Sequence, residues 1–160
     1  MRIIAGDLNN SQVRALLEHH AMTARAETAR GSAHALDLES LKASDINVWA
    51  AWNGDALLAV GALKRLSIDH GEIKSMHTAQ ANRRRGVGTA MLLHIVDAAR
   101  AIGLSRLSLE TGSWLYFLPA RELYKRHGFI ECPPFGQYVP DPNSVFMTLN
   151  LRKEEQGVRN

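Results

Sequence analysis

Arg83-Arg84-Arg85-Gly86-Val87-Gly88-Thr89 stands between a strand-like run, Glu72 to Thr78, and an apolar-periodic run, Thr89 to Ile102, so the loop feeds a helix N-terminus. The first turn of a helix leaves N–H groups without intrahelical partners and gathers partial positive charge. Glycines at 86 and 88 let a phosphate reach those groups with no Cβ in the way, and arginines add charge-assisted contacts. Alone, the string reads equally as a flexible turn beside a solvated basic face, because short glycine motifs recur by chance. Its surroundings have to decide.

Upstream, strand alternation puts Glu72, Lys74, Met76 and Thr78 on one face and Ile73, Ser75 and His77 on the other. Downstream, Leu92, Ile95, Val96, Ala99 and Ile102 form one helical stripe that stops at Gly103, and Leu104 to Thr111 reads as a strand. Strand, crossover helix and strand imply parallel pairing, with the glycine loop at the carboxyl end of the first strand, where open sheets bind ligands. Further out, Ile46 to Trp52 and Ala56 to Leu63 form a hairpin through Asn53-Gly54-Asp55, and the second of these is apolar on both faces, as a central covered strand is. Arg2 to Ala5 is a short first strand. Ser11 to Glu27 is an amphipathic helix carrying Val13, Leu16, Leu17, His20 and Ala24 on one stripe. Thr28 to Ser44, with Gly31, Ser32, His34 and Asp37, is irregular apart from a short turn at Leu36 to Leu41; segments of this kind wall substrate pockets in compact enzymes. Pro119 opens a helix to about His127 that Gly128 ends; Phe129-Ile130 and the alternating Val145, Met147, Leu149 and Leu151 are the last strands.

With 160 residues and 46% hydrophobic content, the chain supports one domain, residues 1–152, followed by a charged tail, 153–160. A net charge of +3, concentrated at Arg83 to Arg85, suits a small polyanion better than a duplex, because nucleic-acid binders spread their basic residues along a face. The single cysteine, Cys132, excludes an internal disulfide framework, and no Cys or His spacing fits a metal site. No apolar run reaches the ~18 residues of a membrane span. These features point to a cytoplasmic protein that binds neither membrane, nucleic acid nor metal.

The order strand, Arg-x-x-Gly-x-Gly loop, helix, strand, followed by Leu123-Tyr124-Lys125-Arg126-His127-Gly128-Phe129, resembles the GCN5-related N-acetyltransferase (GNAT) superfamily. In that family the loop binds acyl-CoA and the later helix often ends Leu-Tyr-x-x-x-Gly-Phe. Leu109-Glu110-Thr111-Gly112 and Phe117-Leu118-Pro119-Ala120 look like a branch of small bacterial acetyltransferases. The resemblance implies an α+β, three-layer fold: a mixed, mostly antiparallel central sheet of six to seven strands with a splayed parallel pair, flanked by about four helices. It also implies that main-chain groups from about Arg84 to Thr89, through Gly86, Val87 and Gly88, hold the CoA pyrophosphate, with Arg83, Arg84 and Arg85 supplementing them. Met76, His77 and Thr78 would offer main-chain groups to the pantetheine arm. Many relatives carry Asn three residues before the Ala of the later helix; this chain has Phe117 there, so that contact is missing or replaced.

Acetyl transfer from a thioester to an amine needs a neutral amine, a stabilised oxyanion and a proton for the departing thiolate. Tyr124, matching the family's tyrosine, is the candidate proton donor; the alternative is a packing residue on the Ala120, Leu123, His127 stripe. Glu72 is the first candidate base, set against an ion pair with Lys74. Glu110 is the alternative, as base or as a group selecting a cationic substrate, and His77 a third. The backbone N–H of Met76 or His77 would polarise the thioester carbonyl. Trp114 follows a strand end near the expected site and is a candidate substrate contact, although core or wall packing is the better explanation of it. The expected activity is acetyl-CoA-dependent N-acetylation of a small-molecule or amino-acid-like amine. A protein N-acetyltransferase and a non-catalytic acyl-CoA-binding sensor are the alternatives, and a homodimer is the assembly relatives often adopt.

Overall fold

Asn53-Gly54-Asp55 turns the chain between two strands, β2 (Ile46–Asn53) and β3 (Ala56–Arg65), as the residue types require. The computed structural model describes residues 1–28, 38–79 and 86–152. Around the hairpin lie β1 (Arg2–Ala5), β4 (His70–Thr78), β5 (Arg106–Gly112), β6 (Ile130–Glu131) and β7 (Ser144–Asn150). They form one open sheet in the order β1-β2-β3-β4-β5-β7-β6, in which β4 and β5 are the parallel pair and every other pairing is antiparallel. Three α-helices stand among the described residues, α1 (Ser11–Ala26), α2 (Val87–Ala101) and α3 (Leu118–Arg126), with 3-10 turns at Ser40–Lys42 and Leu115–Phe117. That is one helix fewer than the resemblance implied. The segment 31–37 and Arg83, Arg84 and Arg85 lie outside the described residues. No helix among the described residues is long and apolar enough to cross a membrane.

The sheet separates two apolar clusters. On one face Val13 and Leu17 of α1 pack with Leu41, Ala50, Val60 and Ala62. On the other, Met91, Leu92, Ile95, Val96 and Ala99 of α2 pack with Ala59, Leu63, Ile73, Leu107, Leu109, Tyr124 and Phe129. A fully buried aliphatic side chain contributes about 1.5–3 kcal/mol, so this stripe is what holds α2 on the sheet. Ile102, placed on the stripe by periodicity, is 41% exposed. The helix ends at Ala101, one residue before it, so Ile102 leaves the helical path. The first helix likewise buries Val13, Leu17 and Ala21.

Two departures from regularity shape the functional end. The first is a bulge in β4. Ala62 pairs with Lys74 but Val60 pairs with His77, so one residue of β3 faces two of β4, and Ser75 there has φ 53. The extra residue reverses the alternation. His77 therefore lies on the same face as Glu72 and Lys74, the α1 side, whereas strict alternation put it opposite them. Thr78 moves to the α2 side, where its hydroxyl lies beside Gly88. The second departure is a splay. Parallel pairing of β4 with β5 ends at Ile73 and Leu109, although β4 runs on to Thr78 and β5 to Gly112. Past that point both strands carry ladder groups that the other no longer satisfies.

Candidate active site

A cavity of about 630 Å³ fills the gap between the splayed strands. Its walls include Glu72 to Thr78 from β4, Leu109 to Gly112 from β5, Gly86, Gly88 and Thr89 from the α2 N-terminus, and Leu123 and Tyr124 from α3. The strand faces divide the side chains. Glu72 is in register with Ser108 on β5, so Glu72, Lys74, His77 and Glu110 belong to the α1 side, whereas Tyr124 and the α2 N-terminus belong to the other.

On the α2 side, Gly86 caps the helix with φ 79, a left-handed conformation that L side chains rarely adopt. No side chain caps this helix, and Ala90 N–H is the first to bond back, to Gly86 O at 3.0 Å. Gly86, Gly88 and Thr89 line the cavity, so the positive end of this 15-residue helix faces it, while Val87 is buried in the core. Tyr124 is 6% exposed, with its ring against Phe129 at 5.8 Å between centroids. Burial raises its pKa to about 12, and its hydroxyl has no hydrogen-bond partner among the described residues.

The α1 side is polar and buried. Glu72 is 4% exposed; its Oε2 accepts from Lys74 Nζ at 3.2 Å and from Tyr138 Oη at 2.6 Å, and Lys74 also donates to Tyr138 Oη at 2.8 Å. Burial and the neighbouring Glu72 push the Tyr138 hydroxyl far up, so it stays protonated. Glu110 accepts from Ser144 Oγ at 2.8 Å. Desolvation raises its pKa to about 7, with Glu72 and Asp141 adding to the rise and Ser144 and Lys74 opposing it. His77 and His20 of α1 meet Nδ1 to Nδ1 at 3.0 Å, one ring donating to the other. Burial holds the pKa of His20 at about 4, so it is neutral at pH 7.

Around the rim, Trp114 lies outside the cavity lining and donates its indole N–H to Asn143 Oδ1 at 2.8 Å. Asn143 does line the cavity, so Trp114 bears on it through that residue. Arg121 Nη1 donates to Gly112 O at 2.6 Å and to Trp114 O at 3.0 Å, fixing the β5–α3 turn. Phe117 lies against Gly112 so closely that a Cβ there would overlap its Cδ2 and Cε2. Among the described residues no group of three or more His, Cys, Asp or Glu side chains is arranged to hold a metal ion.

Comparison with known proteins decides the family. Residues 13–129 match the model of the acetyltransferase (GNAT) family. The chain is 48% identical to the uncharacterized N-acetyltransferase YsnE of Bacillus subtilis, over 94% of this chain and 100% of that one. The uncharacterized N-acetyltransferase YedL of Escherichia coli is 42% identical over 91% of each. Among solved structures, an acyl-CoA N-acyltransferase from Klebsiella pneumoniae superposes with a TM-score of 0.78 at 28% identity, over 94% of this chain and 97% of that chain. The chain belongs to the GNAT family. It is an N-acetyltransferase.

Within this GNAT frame, the cavity brings together Glu72, Met76, His77, Thr78, Gly86, Gly88, Thr89, Glu110 and Tyr124. Sequence reasoning missed Tyr138, Ser144 and His20. Tyr138 lies 66 residues from the carboxylate it bonds, on a proline-flanked loop without period, and no pattern in the sequence links the two. Ser144 is one residue outside the alternation that marks the last strand. His20 was on the helical stripe, but its partner at 77 was assigned to the wrong face for want of the bulge.

Proposed function

We propose that this GNAT enzyme transfers an acetyl group from acetyl-CoA to the primary amine of a small, amino-acid-like molecule by direct attack of the amine on the thioester. The observation that carries this reading is Glu110, a half-buried carboxylate whose partial desolvation raises its pKa to about 7, in the same cavity as the protonated Tyr124. A base poised near neutrality and an acid that stays protonated are the two groups the chemistry needs.

The residues present fit the cofactor. A helix end with no side-chain cap leaves N–H groups for a pyrophosphate, and β4 runs on past the end of the β4–β5 ladder, so that Met76, His77 and Thr78 line the gap where an amide-bearing arm would lie. Gly86, Val87, Gly88 and Thr89 would hold the phosphates, with Arg83, Arg84 and Arg85 adding charge. Bound acetyl-CoA supplies an activated acetyl group whose thioester carbonyl carbon accepts the amine nitrogen. The backbone N–H of Met76 or His77 would donate to the developing oxyanion. Glu110 takes the proton from the incoming ammonium, directly or through water, and Tyr124 Oη protonates the departing sulfur. Glu72, occupied by Lys74 and Tyr138, is better suited to hold those groups than to exchange protons with an acceptor.

The test is thiol release from acetyl-CoA with a panel of primary amines, together with mass analysis of the acetylated product. At least one small amine should be acetylated. Stabilisation by acetyl-CoA with no thiol release for any amine would instead support a non-catalytic sensor, and acetylation confined to protein amino groups would support a protein N-acetyltransferase.

A further inference from the structure

Lys74 has no role in the steps above, yet it is a buried cation. Its side chain is 9% exposed and its ion-pair partner Glu72 5%. Burying such a pair costs several kcal/mol per ion in desolvation, and well-packed apolar residues often replace one without loss of stability. Stability alone therefore gives no reason for an ammonium at this place. Its hydrogen bonds supply one. An ammonium carries three N–H donors. Among the described residues Lys74 Nζ uses two, one to Glu72 Oε2 at 3.2 Å and one to Tyr138 Oη at 2.8 Å. Both Lys74 and Glu110 line the cavity, on the same face of the sheet. Among the described residues the third N–H meets no acceptor, which leaves it for an oxygen brought in by a ligand. An acceptor that displaces water from this half of the cavity without offering an oxygen would leave a buried cationic donor unmet, and sites of that kind reject ligands lacking the matching group by large factors.

Charge narrows the ligand further. With Lys74 paired to Glu72 and held in place by Tyr138, Glu110, which accepts only from Ser144 Oγ among the described residues, is the other carboxylate of the cavity lining and the one placed to receive an ammonium. The site then presents a carboxylate for a cation beside an ammonium N–H for an anion, complementary to a zwitterion. From this we infer that the acceptor is a free α-amino acid, its amine directed to Glu110 and its carboxylate received by Lys74, with Tyr138 as the positioning residue that fixes the ammonium. The inference rests on the proposed N-acetyltransfer to a small amine and names its substrate class. The step balances as follows. The ammonium gives one proton to Glu110, nitrogen bonds to the acetyl carbon, the C–S bond breaks, the sulfur leaves as a thiol with the proton of Tyr124, and the second nitrogen proton is released as the amide forms and Tyr124 is reprotonated.

The experiment compares three acceptors built on one side chain: the α-amino acid, its α-amide and the decarboxylated amine, each with acetyl-CoA and the full-length protein, following thiol release. The expected result is kcat/KM at least tenfold higher for the acid than for either analogue, carried mainly by KM. In Lys74→Met the acid-to-amine ratio should fall at least tenfold. In Tyr138→Phe it should fall by less, with the loss again in KM. Equal kcat/KM for the acid and either analogue in the unaltered enzyme overturns the inference without any variant having to fold. So does a folded Lys74→Met protein that keeps the full preference. Failure of the underlying reading looks different, since then none of the three acceptors releases thiol.

Discussion

Glu110 and Tyr124 are both displaced upward by burial, but the displacement does opposite things for them. For the carboxyl it moves the pKa to about 7, so the base form accumulates as pH rises through neutrality. For the phenol it moves the pKa to about 12, so the acid form persists throughout. We expect kcat/KM to rise with pH along a limb centred near 7 and then level off; Glu110→Gln should remove that limb and lower kcat/KM about 10²–10⁴-fold. The same shift marks stability. Because the folded pKa exceeds the unfolded value, folding takes up a proton between about pH 4.5 and 7, so the contribution of Glu110 to stability falls as pH rises through that window. The Tm-versus-pH curve of the Gln variant should be flatter there. Tyr124→Phe should lower kcat about 10²-fold with the acetyl-CoA Kd little changed, as single-turnover kinetics and a binding titration would show; unchanged turnover would remove the proton-donor assignment. Tyr124 was legible because it sits in a spaced motif. The ranking we propose, Glu110 over Glu72, was not, because it depends on Tyr138 reaching Glu72 across 66 residues of sequence.

At the scale of elements, the site is made by two strands that stop pairing and one that bulges. Ser75 holds φ 53 with its hydroxyl buried and unpartnered among the described residues, a cost that the surrounding sheet sustains. A β-branched residue tolerates that conformation worst. Ser75→Val should therefore lose about 1–3 kcal/mol in denaturant titration. If the strand instead expels the bulge, His77 leaves His20, and the variant loses activity beyond its loss of stability. The turn after β5 offers a cleaner case. Gly112→Ala places a methyl where the Phe117 ring lies, so the ring must move out along the cavity wall. The expected outcome is a raised KM, relieved in the double variant Gly112→Ala/Phe117→Ala; a single variant with unaltered KM would show that the ring yields without disturbing the site. Strand and helix identities were readable from period, and the splay was expected only from the family resemblance. The bulge was not readable, since one extra residue leaves an apolar-polar run looking regular while reversing every face beyond it.

For the whole molecule, the cavity lies between the two apolar layers, so filling it ties α2 and α3 to the opposite side of the sheet. A ligand that binds only the folded state stabilises by about 2.7 kcal/mol at a hundred times its Kd. For a chain of this size that corresponds to a Tm increase of roughly 5–10 °C with acetyl-CoA, read by thermal denaturation, whereas adenosine alone should give a smaller shift. By itself the sequence determined the element order, the parallel crossover around the glycine loop, the apolar stripe of α2 and the family, because these follow from local periodicity and from motifs held at fixed spacing. The tertiary structure decided which side chains meet: the Glu72–Lys74–Tyr138 cluster, the His20–His77 contact, the raised pKa of Glu110 and the withdrawal of Trp114 behind Asn143. The physical reason is that burial and hydrogen-bond partners are properties of pairs brought together by folding. A single bulge or a loop crossing the sheet changes them without altering any local pattern in the chain.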